Sequence, residues 1–349
     1  MAVSKVMVAM SGGVDSSVAA LMLINSGADC TGAIMRLCDG LTGQATGVAD
    51  AQRIADRLDI PLLILDQQQL FAEKVVDAFV RCYEEGGTPN PCVYCNRHLK
   101  FDVLLHEALD RGCTHLATGH YAQIEYDPGS GRYLLKKAAD KQKDQSYFLA
   151  CLTQQQLSHT LFPLGGLTKD QVRQLAEESG FVNAKKKDSQ DICFIPDGDY
   201  RTFLERYTGK TYAPGDYLDM DGKVVGQHSG SVGYTIGQRK GLGIALGAPA
   251  YVVSKNMKVN TVTVGPDAAL FSKVLRADGW NWIAIPELTE PLKCKARVRY
   301  RHTEQPATVY PEDSGIVRVE FEEAQRAITP GQTVVLYDGD IVIGSGTIL

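Results

Sequence analysis

The first half of the chain alternates short apolar runs with helical patterns. The runs Val6–Met10, Cys30–Arg36 and Pro61–Leu65 have the length and composition of buried strands. Helical periodicity predicts helices between and after them, over 18–24, 49–58 and 70–83. This alternation predicts an α/β fold in which a doubly wound parallel sheet binds its ligand at the carboxyl ends of the strands.

The pattern changes at about Tyr200, where the segments become rich in glycine and turns. Over 293–301 strict alternation places apolar residues on one face of a strand and five lysines and arginines on the other. Because like charges repel, the cationic face must either contact an anionic partner or be exposed to water. Further short strands predict a small antiparallel barrel. We therefore predict three domains: a parallel-sheet domain over 1–199, a small mixed central domain over 200–272, and a C-terminal antiparallel β-barrel over 273–349.

Composition narrows the class of protein. No apolar run in the 349 residues approaches transmembrane length, and the first residues lack the regions of a signal peptide, so we expect a cytoplasmic protein with no membrane partner. Nine cysteines, an odd number, argue for reduced thiols, some of them catalytic or metal-bound. The net charge of −5 does not by itself indicate nucleic-acid binding, which local basic clusters can still provide.

The most informative segment is the glycine turn between the first predicted strand and helix, Ser11-Gly12-Gly13-Val14-Asp15-Ser16. It lets the backbone approach a ligand and presents the free N–H groups and positive end of a helix to an anion. Neither a Walker loop nor the dinucleotide fingerprint fits, because no lysine follows Gly13 and the glycine spacing differs. We predict a phosphate-binding loop; the alternative is a simple turn in which Ser or Asp caps the helix.

Two further segments carry thiols. A segment rich in glycine and proline contains Cys92 and Cys95 as a C-x-x-C pair, which predicts a constrained loop. Lys100 lies in the helix predicted after this pair, and Cys193 follows a lysine triplet at 185–187. In both places a neighbouring cation favours a reactive thiol. Buried structural cysteines and a solvated lysine cluster are the alternatives.

Seven segments together resemble one family over essentially the whole chain: 10–17, 88–91 with 95–96, 117–121, 143–148, 184–189 with 192–195, 237–243 and 329–332. One such segment would be weak, but seven in order are highly specific. The chain resembles the tRNA-specific 2-thiouridylases, called MnmA in bacteria, whose first domain is a PP-loop ATP pyrophosphatase.

The resemblance implies that ATP, with Mg²⁺, activates the C2 oxygen of the wobble uridine of tRNA, and that sulfur replaces it as AMP and pyrophosphate leave. Cys193 matches the cysteine that carries a persulfide received from a sulfur relay, and the implied sulfur source is a sulfur donor protein or sulfide. Cys95 matches the nucleophile that attacks it or closes a disulfide with it. ATP contacts are implied for Ala9, Met10, Ser11, Gly12, Gly13, Val14, Asp15, Ser16, Met35 and Gly119. Contacts with tRNA are implied for Asn90, Pro91, Cys92, His120, Lys143, Asp144, Gln145, Arg299, Tyr300 and Gln332.

Cys92 departs from one well-known form of the family, which has an aspartate there as a proposed general acid/base. Cys92, Cys95 and Cys193 could instead hold three corners of a [4Fe–4S] cluster whose open iron binds hydrosulfide, so a persulfide and a cluster mechanism both stay open. Two other functions are weighed against these. One is another PP-loop enzyme, an adenylating amidotransferase or RNA-modifying enzyme; the other is a zinc-structured RNA-binding module with His98 or His120 as fourth ligand.

Overall fold

The structure, a computed structural model, describes residues 4–42, 47–184, 192–244 and 247–349. The lysine triplet at 185–187 lies outside these ranges. The strands are β1 Lys5–Ala9, β2 Asp29–Arg36, β3 Leu62–Asp66, β4 His115–Ala117, β5 Ala122–Asp127, β6 Arg132–Lys137, β7 Thr160–Leu161, β8 Gly215–Leu218, β9 Val224–His228, β10 Tyr251–Asn256, β11 Thr261–Gly265, β12 Phe271–Trp282, β13 Leu292–Arg297, β14 Gln305–Pro311, β15 Val317–Arg326, β16 Thr333–Asp338 and β17 Ile341–Ile348.

Helices surround the N-terminal sheet. The α-helices are α1 Val14–Asn25, α2 Asp39–Thr42, α3 Val48–Leu58, α4 Gln68–Phe71, α5 Asp77–Glu84, α6 Pro91–Cys95, α7 Leu104–Asp110, α8 Ser146–Leu149, α9 Gln154–Ser158, α10 Lys169–Glu178 and α11 Tyr200–Thr208. Two π-helical segments, Ala72–Val76 and Asn96–Val103, join α4 to α5 and α6 to α7. In the described ranges, no helix has both the length and the apolar character needed to cross a bilayer.

The N-terminal sheet confirms the predicted α/β class. Its strands are parallel and lie in the order β3-β2-β1-β4-β7. Both faces of β1 are buried, because Val6 and Val8 pack in the cluster that contains α1 and α3, whereas Met7 packs in the cluster on the opposite face. Since β2 and β4 flank β1 on opposite sides, the winding reverses there and opens a crevice at the carboxyl ends of the strands.

The rest of the chain forms two β structures. A mixed four-stranded sheet has the order β10-β11-β8-β9. The C-terminal strands follow the order β12-β15-β14-β13-β16-β17, and pairing of β12 with β17 closes the predicted antiparallel barrel. The β5–β6 hairpin joins this sheet through Lys136 of β6 and Ile341 of β17. The domain boundaries at 199/200 and 272/273 stay predictions.

The structure differs from two local predictions. The C-x-x-C pair lies on α6 and not in a loop, because Pro91 occupies the first helical turn, where its missing N–H costs nothing. The strand predicted over 293–301 ends at Arg297. The cationic face therefore does not extend to Arg299, whose guanidinium donates to the carbonyl oxygens of Ile236 and Ala327.

Candidate active site

A cavity of about 320 Å³ lies at the carboxyl ends of β1, β2 and β4. The predicted phosphate-binding loop lines it through Ser11, Asp15 and Ser16, and Met35 and Gly119 line it from the ends of the neighbouring strands. The structure thus brings these five predicted nucleotide contacts to one recess.

The loop geometry leaves N–H groups free for an anion. Gly13 is the N-cap of α1 and makes no side-chain capping bond. The hydroxyls of Ser16 and Ser17 donate to the Gly13 carbonyl at 3.1 and 2.9 Å, so neither caps the N–H groups of the first turn. Gly12 has φ of 71°, and a Cβ there would lie 2.6 Å from the carbonyl oxygen of Gly47. A simple capped turn, the alternative reading, does not describe this loop.

Gly119 permits a close approach between β4 and the loop. A Cβ on Gly119 would lie 2.7 Å from both the carbonyl carbon of Asp15 and the amide nitrogen of Ser16. Only a residue without a side chain allows this contact, since backbone atoms cannot move aside as a flexible side chain can. Gly119 therefore fixes the end of β4 against the first turn of α1.

Asp15 forms an ion pair that the sequence analysis missed. The Lys169 ammonium lies 2.7 and 2.8 Å from the two carboxylate oxygens, and the Tyr121 hydroxyl donates to one of them at 2.8 Å. Lys169 is the first residue of α10, directly after the N-cap Thr168, which forms a capping box with Gln171. Its nearly buried cation offsets the carboxylate charge beside the anion site.

His120 and Gln145 complete the polar lining. Burial, together with the positive charge of Lys100, holds the pKa of His120 well below its ordinary value. The imidazole is therefore neutral near pH 7, with Nδ1 2.7 Å from the Thr118 hydroxyl. The Gln145 side chain accepts from the Tyr121 amide at 2.9 Å, which fixes its orientation.

Two thiols share this cavity. Cys193 lines it, as does Cys38, which follows β2 and which the sequence analysis also missed. The Cys38 thiol lies 3.8 Å from the Cys193 carbonyl oxygen, to which it donates. A hydrogen bond between the two side chains lowers the pKa of Cys38 and raises the pKa of Cys193, which burial raises further. Cys38 is therefore the thiol of this pair that ionises first.

Cys92 and Cys95 lie on α6 and, among the cysteines that the structure describes, are not part of the cavity lining. Burial raises the pKa of Cys95 to about 12, and it also raises the pKa of Cys92, although that residue has an exposed surface. Within the described ranges, no three Cys, His, Asp or Glu residues form a group that could hold a metal ion. Cys92, Cys95 and Cys193 therefore do not form a ready set of metal ligands in the described part of the chain, although the charge of Cys193 acts on both of the other thiols.

The segment 143–145 has mixed surroundings. Asp144 is buried and accepts from the amides of Ala138 and Ser146, at 3.1 and 3.2 Å. Its carboxylate thus holds the backbone of this turn. Lys143 beside it is half-buried. Only Gln145 of the three lines the cavity.

The other predicted tRNA contacts lie where the barrel meets the N-terminal sheet. Gln332 donates to the carbonyl oxygens of Thr88 and Pro89 at 2.9 and 3.2 Å, just before the half-buried Asn90 and the buried Pro91. Half-buried Tyr300 packs against Phe148, with ring centroids 4.3 Å apart. The Arg299 guanidinium also bonds the Thr329 hydroxyl at 2.5 Å. None of these residues is part of the cavity lining.

Comparisons with known proteins agree over the whole chain. The sequence matches three family models: the tRNA methyl transferase HUP domain over 4–197, the tRNA methyl transferase PRC-barrel domain over 201–266 and the aminomethyltransferase beta-barrel domain over 272–348. The tRNA-specific 2-thiouridylase MnmA of Acetivibrio thermocellus is 48% identical and covers 100% of both chains. That of Clostridioides difficile is 47% identical over 99% of this chain and 98% of its own.

A more distant structure overlaps only in part. A solved 4-thiouridine synthetase–RNA complex with bound ATP has a TM-score of 0.39 and 19% identity, over 55% of this chain and 45% of its own, a likeness that adds nothing to the assignment. The full-length relatives establish the family. The chain belongs to the MnmA family of tRNA-specific 2-thiouridylases, which are enzymes.

Proposed function

We propose that this protein catalyses the ATP-dependent 2-thiolation of the wobble uridine of tRNA and releases AMP and pyrophosphate. The observation that carries the proposal is the shared cavity, in which a phosphate-binding loop and the Cys193 thiol line one recess. The names of the curated relatives support it. The matched models have methyl transferase descriptions, but methyl transfer needs no adenylating loop, so the site favours thiolation.

The first step is activation of the base. The C2 oxygen of uracil is a poor leaving group, so it attacks the α-phosphorus of ATP and pyrophosphate departs. Ser11, Ser16 and the free N–H groups of α1 are placed to hold the phosphates. Asp15 offers beside them the carboxylate oxygens that Mg²⁺ prefers, and bound Mg²⁺ would offset the phosphate charge.

The second step is sulfur delivery. In the persulfide mechanism the persulfide of a donor protein transfers its outer sulfur to Cys193, and a second thiol then attacks the inner sulfur, so that the outer sulfur leaves as hydrosulfide, attacks C2 and displaces AMP. The resemblance assigns that second thiol to Cys95, which is buried on α6 and packs in one apolar cluster with Phe194, the residue after Cys193. The separation of Cys92 and Cys95 from the cavity favours this mechanism over a [4Fe–4S] cluster, through which we derive no step.

The tRNA must present an extruded base, because C2 is out of reach in a stacked anticodon. Neutral His120 and Gln145 offer hydrogen-bonding groups to it inside the cavity. Arg299, Tyr300 and Gln332, which lie outside the cavity lining, are our candidates for contacts with the anticodon arm.

The test is an anaerobic incubation of the protein with ATP, Mg²⁺, unmodified tRNA and inorganic polysulfide, followed by mass analysis of the nucleosides. We expect 2-thiouridine at the wobble position with stoichiometric AMP and pyrophosphate, and its loss in Cys193→Ser. Pyrophosphate release without 2-thiouridine would favour the amidotransferase class instead, and full 2-thiouridine formation by Cys193→Ser would refute the role of Cys193 as the persulfide carrier. Iron analysis of the anaerobic protein, with Cys92→Ala as control, tests the cluster mechanism.

A further inference from the structure

Lys100 is a charged residue of the cavity that the proposed mechanism does not yet use. Among the described residues that line the cavity, Lys100 and Asp15 are the two with ionised side chains, and Asp15 is paired with Lys169. The Lys100 side chain makes no hydrogen bond or ion pair within the described ranges. ATP and hydrosulfide, the two small occupants of the proposed site, are both anions. The unpaired ammonium is therefore placed to stabilise one of them.

The helix that carries Lys100 also carries the C-x-x-C pair. Lys100 follows Cys95 by five residues and lies in the π-helical segment Asn96–Val103. In an α-helix, residues five apart point about 140° away from each other, because each residue turns the helix by about 100°. The hydrogen bonds of a π-helix join residues five apart, and its wider turn brings such residues closer to one face. The π-helical segment thus turns Lys100 toward the side of the helix on which Cys95 lies.

The charge of Lys100 acts on both thiols of the sulfur-transfer step. Burial raises the pKa of Cys95 to about 12, and the positive charge of Lys100 opposes this shift. The same charge opposes the rise in the pKa of Cys193, which the hydrogen bond to Cys38 and burial cause. Lys100 is therefore near enough to both thiols to stabilise negative charge as it passes from one sulfur to another.

We propose that Lys100 is the residue that stabilises the sulfur anions of the transfer step. This inference rests on the proposed thiolation function. Cys95 loses its proton to solvent, and its thiolate attacks the inner sulfur of the Cys193 persulfide. The S–S bond of the persulfide breaks, and its electron pair leaves on the outer sulfur as hydrosulfide. The two cysteine sulfurs remain as a disulfide, which an external dithiol reduces with two electrons before the next turnover. Negative charge thus moves from the Cys95 sulfur to the outer sulfur, and the Lys100 ammonium attracts it at both positions.

The first test follows sulfur release alone. The full-length wild type, Lys100→Met and Lys100→Arg are loaded with inorganic polysulfide, freed of excess and kept without ATP or tRNA. Released sulfide and the Cys95–Cys193 disulfide are quantified over time and divided by the initial persulfide content. We expect both products to form at least about ten-fold more slowly in Lys100→Met, whereas Lys100→Arg should keep most of the rate because it keeps the charge. Equal rates in the wild type and Lys100→Met would overturn the proposal.

The second test separates sulfur transfer from activation of the base. In single turnovers with ATP, Mg²⁺ and tRNA, Lys100→Met should form 2-thiouridine at least about ten-fold more slowly, with a smaller loss of pyrophosphate release. An equal loss of both products would place Lys100 at the phosphates and overturn the proposal. The matched control is Lys74→Met, because Lys74 is an exposed lysine of the other π-helical segment, outside the cavity lining. Its rates should match those of the wild type.

A second neutral variant and urea unfolding distinguish charge from packing. Lys100→Gln keeps a polar side chain without the charge and should be as slow as Lys100→Met in both tests, while urea unfolding checks that each variant is folded. Wild-type rates in a folded Lys100→Gln, or an equal loss in Lys100→Arg and Lys100→Met, would refute the role of the charge. Absence of 2-thiouridine from the wild type would refute the proposed function, and the sulfide-release assay would still decide the role of Lys100.

Discussion

The ion pair beneath the phosphate loop can be measured by a double-mutant cycle. Lys169 has 7% of its side chain exposed and lies 2.7 and 2.8 Å from the oxygens of Asp15, which is 31% exposed. At a separation of about 3 Å and an effective dielectric constant of about 20, the Coulomb attraction is roughly 5–6 kcal/mol. Desolvation of the ammonium costs several kcal/mol and offsets more than half of this. We therefore expect a coupling free energy of about 2 kcal/mol.

The assay is urea unfolding of the wild type, Asp15→Asn, Lys169→Met and the double variant. Lys169→Met keeps the length of the side chain and removes the charge. The matched control is the pair Lys136–Glu125, which has the same 2.7 Å separation but side chains 31% and 60% exposed. We expect less than about 1 kcal/mol of coupling for this control. Additivity within about 0.5 kcal/mol in the Asp15–Lys169 cycle would refute the reasoning.

Three further predictions concern single residues. Gly12→Ala should lower the free energy of unfolding in urea by about 2 kcal/mol or more, because Gly12 has φ of 71° and a Cβ there would lie 2.6 Å from the Gly47 carbonyl oxygen. The control is Gly13→Ala, where φ is −91° and the loss should be clearly smaller. Equal losses in the two variants would contradict this. His120 is held neutral in the fold, so the unfolded chain binds more protons below about pH 6.5 and stability should fall as the pH drops from 7 to 5. His120→Gln should flatten that slope, and an unchanged slope would exclude His120 as its source. Because burial raises the pKa of Cys95 to about 12, iodoacetamide at pH 8 should alkylate it at least ten-fold more slowly than in the urea-unfolded chain, which peptide mass analysis would show.

Local patterns were sufficient to predict the parallel sheet and the barrel. A strand buried on both faces, such as β1, is apolar at every position after Lys5 and is therefore visible in the sequence. The pairing of the β5–β6 hairpin with β17 was not predicted, because it joins Lys136 to Ile341 and no local pattern encodes a register between such distant segments. Alternation likewise could not show that β13 ends at Arg297.

The candidate site likewise combines a locally encoded segment with contacts between distant residues. The phosphate-binding loop lies within six consecutive residues and was predicted from them, whereas Lys169 and Cys38 meet their partners across 154 and 155 residues. Cys38 nevertheless had a usable signal, since it follows the carboxyl end of β2, where a doubly wound sheet binds its ligand. Pro91 was taken as a sign of a loop, although proline is also favoured at the first position of a helix.

The common cavity for nucleotide and thiols has a chemical consequence that can be measured as the ratio of AMP to 2-thiouridine. An adenylated uridine is electrophilic at C2, and water that reaches it regenerates uridine and wastes one ATP. Hydrosulfide released from a persulfide on Cys193, which lines the recess, starts beside the apolar wall that Ile34 and Leu37 provide, so its effective concentration there is high. Sulfide added to Cys193→Ser must instead enter from solvent in competition with water. We therefore expect Cys193→Ser supplied with sodium sulfide to form more AMP per 2-thiouridine than the persulfide-loaded wild type, and equal ratios would show that sulfur is not delivered from within the cavity.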